Sequence, residues 1–266
     1  MALTVATPAL LLPNTGTDTS QVVVLLALIA GGFVFIEYYS KYPSIIEFRF
    51  APPFNRLRFY AVFFCVLLLT VQRAGDSLDS PAAELFMALN RVLSQMLDFP
   101  YSPVRLVLLA LPEGTPPALV EQVRDAAGIA YLIGLFALLS FVYLVKVKGW
   151  PGRHVAFNVW LNLPLFDPTG GGDVLTRLKR NSTVNIVLGI LLPFLAPAAV
   201  KLIEMVIGPV ILTAPQTLIW GMTAWAILPA TLVMRGLALA RIAEMIEEKR
   251  RRTYEELKAE EQFQAA

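Results

Sequence analysis

Long apolar runs alternate with short polar connectors along this chain. The runs cover about 21–39, 59–72, 126–145, 183–207 and 217–234. A helix rising 1.5 Å per residue crosses a ~30 Å hydrocarbon core in about 20 residues, so these runs are near the length of a span. A transmembrane barrel would instead repeat segments of about ten residues alternating apolar and polar. The pattern predicts an all-α, polytopic membrane protein with about five transmembrane helices.

The connectors carry patterns of their own. In 41–58, Ile46, Phe48 and Phe50 alternate with Glu47 and Arg49 until Pro52-Pro53 interrupts. This predicts a short strand or an extended segment on the lipid headgroups with its aromatic side chains inward, and the second requires less. In 73–125, Ser80-Pro81 makes an N-cap and first-turn pair. Leu85, Phe86, Leu89, Val92, Leu93, Met96 and Leu97 then recur at helical spacing, which predicts an amphipathic helix on the membrane surface or packed over the bundle. Residues 104–111 are apolar but too short to span, and Pro103 and Pro112 bracket them, so they are a re-entrant segment or a packed cap. Pro193 and Pro197 in the fourth run predict a kink or local unwinding.

Charge turns the pattern into a topology. Of the 22 basic residues, only Arg73, Arg91, Arg105, Arg124 and Lys201 lie toward one end of the alternating spans. The rest fall in 41–58, in 146–181 and from Arg235 onward, and such basic connectors belong on the cytoplasmic side. The expected organisation is an outer N-terminal tail over 1–20, a membrane domain over 21–240 and a charged cytoplasmic helix over 241–266. Segment 73–125 lies outside and loop 146–181 inside, with the N-terminus outside and the C-terminus cytoplasmic. The tail has no Lys or Arg, so it lacks the positive region of a cleaved signal and is expected to stay attached. A charged fraction of 16%, against about 25% in soluble domains, fits the membrane class.

Candidate chemistry is sparse. Cys65 and His154 are each alone in the sequence, which excludes an intrachain disulfide and His-rich metal or bis-histidine haem sites. No metal, cofactor, catalytic group or nucleic acid is expected. Glu37 closes the first span, and Lys201 and Glu204 sit three apart near the outer end of the fourth; these are candidates for a transport path or an ion pair. Asp76 and Asp79 are more simply turn and capping residues. Thr169-Gly170-Gly171-Gly172-Asp173 precedes a basic turn, but without the spacing of a nucleotide loop, and Asp173 suits an N-cap. Arg177, Lys179 and Arg180 in that turn, and Lys249, Arg250, Arg251 and Arg252 in the C-terminal helix, are candidates for contact with anionic lipid headgroups or a partner. Ala27 with Gly31, and Ala126, Ala130 and Gly134, offer small-residue faces for close helix packing.

Taken together, these features suggest a non-catalytic accessory, scaffold or assembly subunit of a bacterial inner-membrane complex. Its expected partners are anionic lipids and a membrane protein or a second copy of the chain. A small-solute or lipid transporter using the kinked fourth helix is the alternative, and an enzyme acting on lipid-linked substrates, with His154 as base, is a third.

Overall fold

A computed structural model of the protein describes residues 1–13, 17–75, 80–152, 158–166, 172–207 and 214–264, which are helical with no strand. The helices are α1 (Ala2–Leu11), α2 (Thr17–Tyr39), α3 (Phe54–Ala74), α4 (Pro81–Leu97), α5 (Pro103–Ala110), α6 (Pro117–Lys146), α7 (Val159–Asn162), α8 (Val174–Ile207) and α9 (Pro215–Gln264). Five of them, α2, α3, α6, α8 and α9, are long and apolar enough to cross a membrane. The chain is an integral membrane protein. Each of these helices outruns its apolar core, because an α-helix satisfies its own backbone and can carry polar residues through the interfacial zone.

The spans share two ends. At the connector end, segments 40–53 and 158–166 meet through a hydrogen bond from Phe48 N to Asn162 O. At the cap end, α4 and α5 lie over the bundle, and Arg73 of α3 donates to Gln122 of α6. Each end has its own apolar core, one around Val66, Leu69, Val123 and Ile219, the other around Phe54, Phe141, Leu178 and Leu239. The most enclosed span is α9, which packs on α8, α6 and α3, whereas α2 and α8 turn most of their side chains outward.

Small residues set the closest helix approaches. A Cβ on Gly236 of α9 would lie 2.6 Å from Ile186 Cγ1 and 2.8 Å from Ser182 O of α8. One on Gly189 of α8 would meet Pro229 O of α9 at 2.7 Å. Ser182 Oγ also donates to Gly236 O at 2.7 Å, a bond favoured where no water competes. Ala126 and Ala130 are buried along α6, and Gly134 of the same helix faces the Ala226 carbonyl of α9. Ala27 is buried in α2, and Gly31 meets Ala2. That last contact involves a segment expected as a tail: residues 2–11 form a helix packed on α2 and α3. With no charged side chain in 2–11, the segment has nothing to hold it in water.

Two further expectations gain detail. The fourth span stays helical through Pro193 and Pro197. Pro197 has no N–H for the Pro193 carbonyl, and the Trp225 indole of α9 donates to that oxygen instead, at 3.1 Å. The amphipathic helix α4 turns its apolar stripe outward: Leu85, Leu89, Val92 and Met96 are more than half exposed. Its buried residues are Ala83, Asn90 and Ser94, with Asn90 Nδ2 donating to Asp125 O of α6 and Ser94 seated against Gly128. Asp98 closes the cap by pairing with Arg105 and Arg124 at 2.7 and 2.9 Å.

The close α8–α9 contact yields a paired prediction. Gly236→Ala should destabilise by about 1–3 kcal/mol through overpacking against α8. Gly221→Ala, where a Cβ meets nothing within 4 Å, should be neutral or stabilising, since alanine is the better helix former by about 1 kcal/mol. Thermal unfolding in one detergent measures both, and equal shifts would show that this contact does not set the packing.

Candidate functional site

The connector after α2 folds through local charge. The Glu37 carboxylate accepts from Ser44 Oγ and from the backbone N–H groups of Ser44, Ile45 and Ile46, the last three at 3.1 Å. Successive N–H groups converging on one carboxylate form an anion nest. Arg49 reaches back and donates to the carbonyls of Glu37, Tyr38 and Ser40, covering acceptors that the end of α2 leaves open. Glu37 thus holds the connector to its own helix, by contacts a reading of isolated helices does not contain.

This folding drives Phe48 inward with φ 55°, an unusual conformation for a bulky residue. Its ring joins Phe54, Phe141 and Trp150, with Phe48–Phe54 centroids 4.5 Å apart and Phe141–Trp150 5.1 Å apart. Trp150 Nε1 donates to the Ala51 and Pro52 carbonyls. The connector is therefore neither a strand nor a segment spread on headgroups. Its aromatic residue Phe48 is wholly buried, whereas Phe50 is about half exposed.

The consequence is the placement of Glu47. Its side chain is 5% exposed and receives Arg235 of α9 in a two-bond fork, Nε–Oε2 at 2.5 Å and Nη2–Oε1 at 2.8 Å. Arg235 Nη1 also donates to Asn185 Oδ1 of α8 at 3.1 Å, and Asn55 Nδ2 binds the Glu47 carbonyl at 2.7 Å. One cluster therefore joins the connector, α3, α8 and α9. Arg58 of α3 lies within electrostatic range of both Glu47 and Arg235. It faces the Phe54 ring at 5.4 Å but donates no hydrogen bond among the described residues, and its Nε is fully buried without an acceptor. Two guanidinium groups thus share one carboxylate, leaving a net positive charge.

A groove of about 650 Å³ opens beside this cluster, lined by Tyr38, Arg58, Phe59, Leu228 and Thr231 among others. Chemically, the site can hold a negative group next to an apolar chain. Groups for metal binding do not cluster among the described residues.

The other residues singled out from sequence lie elsewhere. Lys201 Nζ donates to Leu109 O of α5 at 3.0 Å, tying α8 to the cap, and Glu204 lies on the same end of α8. Lys179 pairs with Glu247 at 2.8 Å, Arg250 with Asp173 at 2.9 Å, and Arg177 lies over the Phe166 ring. Arg180, Lys249, Arg251 and Arg252 are exposed. His154, Asp76, Asp79, Thr169, Gly170 and Gly171 lie outside the described residues. Sequence reasoning passed over Glu47, Arg58 and Asn185 as site residues, and it counted Arg235 only among the basic residues of the cytoplasmic side. The available signal was four charges, Glu47, Arg56, Arg58 and Arg235, bordering apolar runs, where an ionisable residue is expensive unless matched.

Asp173 is the outlying acid of this end. Its carboxyl is held below the usual carboxylate range, first by the Arg250 hydrogen bond and then by the Leu175 and Thr176 N–H groups it caps. A lowered folded-state pKa means its contribution is complete above the unfolded value of about 3.9 and is lost as pH falls through the folded one.

Two outcomes are expected. Glu47→Gln and Arg235→Gln should each cost about 3–5 kcal/mol by stranding a buried charge. The double variant should cost less than their sum by about 0.5–3 kcal/mol, and simple additivity in detergent unfolding would show that the pair is uncoupled. Spin labels at Thr176 and Tyr254 should keep one narrow distance distribution at neutral pH and broaden only in acid below the ordinary aspartate range. Arg250→Gln should broaden it already at neutral pH, and an unaltered distribution would mean that Arg250 does not hold α9 to α8. Comparison with protein-family models, curated proteins and solved structures finds no match to this chain.

Proposed function

We propose that the protein is a non-catalytic accessory or scaffold subunit of a membrane complex, oriented with its connector end in the cytoplasm of a bacterial cell. The observation that carries this is the far half of α9. The helix has 50 residues, a length of about 75 Å at 1.5 Å per residue, more than twice a ~30 Å hydrocarbon core. Every residue from 251 to 260 is exposed. Among the described residues its base is tied down, by Lys179–Glu247 and Arg250–Asp173.

A helix that is exposed all round, with Tyr254 and Leu257 among its charges, and that extends past its own domain suits contact with a second molecule. Its charges are mixed, with Lys249, Arg250, Arg251 and Arg252 ahead of Glu255, Glu256, Glu260 and Glu261, among which Lys258 is the one base. That arrangement presents a basic collar near the membrane and an acidic tip beyond it. The collar supports the orientation, since the basic connectors 41–58 and 146–181 lie at the same end and basic residues favour the cytoplasmic side.

Deleting residues 253–266 should leave the membrane domain folded and release a protein partner that otherwise co-extracts from native membranes at fixed stoichiometry, as read by native mass spectrometry. A full-length chain that emerges without any protein partner, or whose partner survives the deletion, would overturn the proposal.

A further inference from the structure

The cluster around Glu47 holds one guanidinium more than it needs. Arg235 occupies both carboxylate oxygens of Glu47, so Arg58 is left with a ring face and long-range attraction. Arg58 is half-buried with its Nε shut off from any acceptor among the described residues, and a charge held partly out of water is normally paired. Arg58 lies one turn inside the start of α3, where a span meets the headgroup zone.

The groove beside Arg58 shows what would pair with it. The walls beyond Arg58 are mainly apolar, from Met1 ahead of α1, Val34 of α2, Phe59 and Val62 of α3, and Ile227 and Leu228 of α9, with Thr231 among them. Exposed Arg56 lies at the same level as Arg58 and also lines the opening. The groove therefore has a cationic end at the interface and an apolar length directed into the bilayer, which is the inverse of an anionic lipid. A second outward-facing groove of the same volume, about 650 Å³, runs between α3 and α6 along Ala61, Phe64, Leu68, Ile133 and Phe136. It has no charged residue in its lining, so it serves as an internal comparison for ordinary lipid contact.

We propose that the groove between α2, α3 and α9 is a binding site for a single anionic phospholipid. The phosphate sits on the Arg58 guanidinium with Arg56 at the mouth, and an acyl chain lies along Val34, Val62 and Ile227. Guanidinium suits this role because its planar array of donors matches phosphate oxygens in pairs. The proposal does not depend on the scaffold reading, since the groove is built by the membrane domain alone.

The test uses the full chain reconstituted in vesicles of equimolar phosphatidylcholine and phosphatidylglycerol, extracted in mild detergent and weighed intact. One phosphatidylglycerol should remain bound in preference to phosphatidylcholine. Arg58→Gln should lower that retention about tenfold, the effect of losing one charge-assisted contact, and Arg58→Lys should restore part of it. Leu228→Trp, which fills the groove without touching a charge, should also lower retention, and it keeps the test open if Arg58→Gln folds poorly. Phe136→Trp in the uncharged groove should change nothing. Phosphatidylglycerol should also raise the melting temperature of the unaltered protein, because a ligand that binds only the folded state stabilises it, and should not raise that of Arg58→Gln. Equal retention of the two lipids, or unchanged retention in both Arg58→Gln and Leu228→Trp, would overturn the proposal.

Discussion

The forked pair between Glu47 and Arg235 ties together parts of the chain that no local rule connects. Arg235 sits in the middle of a 50-residue helix, where an unmatched charge would pull that helix toward water. Glu47 can match it only because the connector is already folded, by Glu37 on one side and Arg49 on the other. The pair then fixes how far α9 lies along α8. Gly236, the next residue, is pressed against Ser182 and Ile186, and Asn185 completes the Arg235 fork. Packing and charge at this point specify the same register, and such agreement between independent terms is what gives a sequence one structure.

The rest of the bundle obeys a rule that reverses the one for soluble domains. With hydrocarbon as the solvent, apolar side chains lose nothing by facing outward, and polar groups must find one another inside. The helix α4 makes this visible: Asn90 and Ser94 are its buried residues, and its leucines are exposed. The Trp225 indole on the Pro193 carbonyl follows the same logic, since an orphaned backbone acceptor in a membrane costs several kcal/mol. The proline is tolerated because a neighbouring helix supplies the missing donor.

How much of this could be read from sequence follows from the range of each interaction. The five spans were legible because burial in lipid imposes a length on each apolar run independently of the others. Their true ends were less so, since Thr17, Phe54, Pro117 and Val174 begin helices in interfacial polar stretches where hydropathy gives no signal. The amphipathic stripe of α4 was legible, but not its direction, because periodicity marks a face without saying what lies against it. Glu37 stood out as an acid at a helix mouth, yet its donors lie seven to nine residues on, in a loop whose shape depends on Asn162. Glu47 and Arg235 are 188 residues apart, and no spacing rule links them. Trp150 is buried because Phe48, Phe54 and Phe141 enclose it, an arrangement no local pattern announces.

Arg58 differs from the other buried or half-buried charges of the connector end in having no structural task. Arg49 covers the end of α2, Arg235 closes on Glu47, and Glu37 organises the connector. Taking Arg58 away would leave one carboxylate facing one guanidinium, a neutral and closed arrangement in a region where charge is expensive. The aromatic nest would also remain, since Phe54 already meets Phe48, Phe141 and Trp150. A buried Nε with no acceptor among the described residues costs the fold, and on the proposed reading the balance is made up from outside the protein. The outside, at that depth, is lipid, and the only negative charge a bilayer offers at the edge of its hydrocarbon is that of a headgroup.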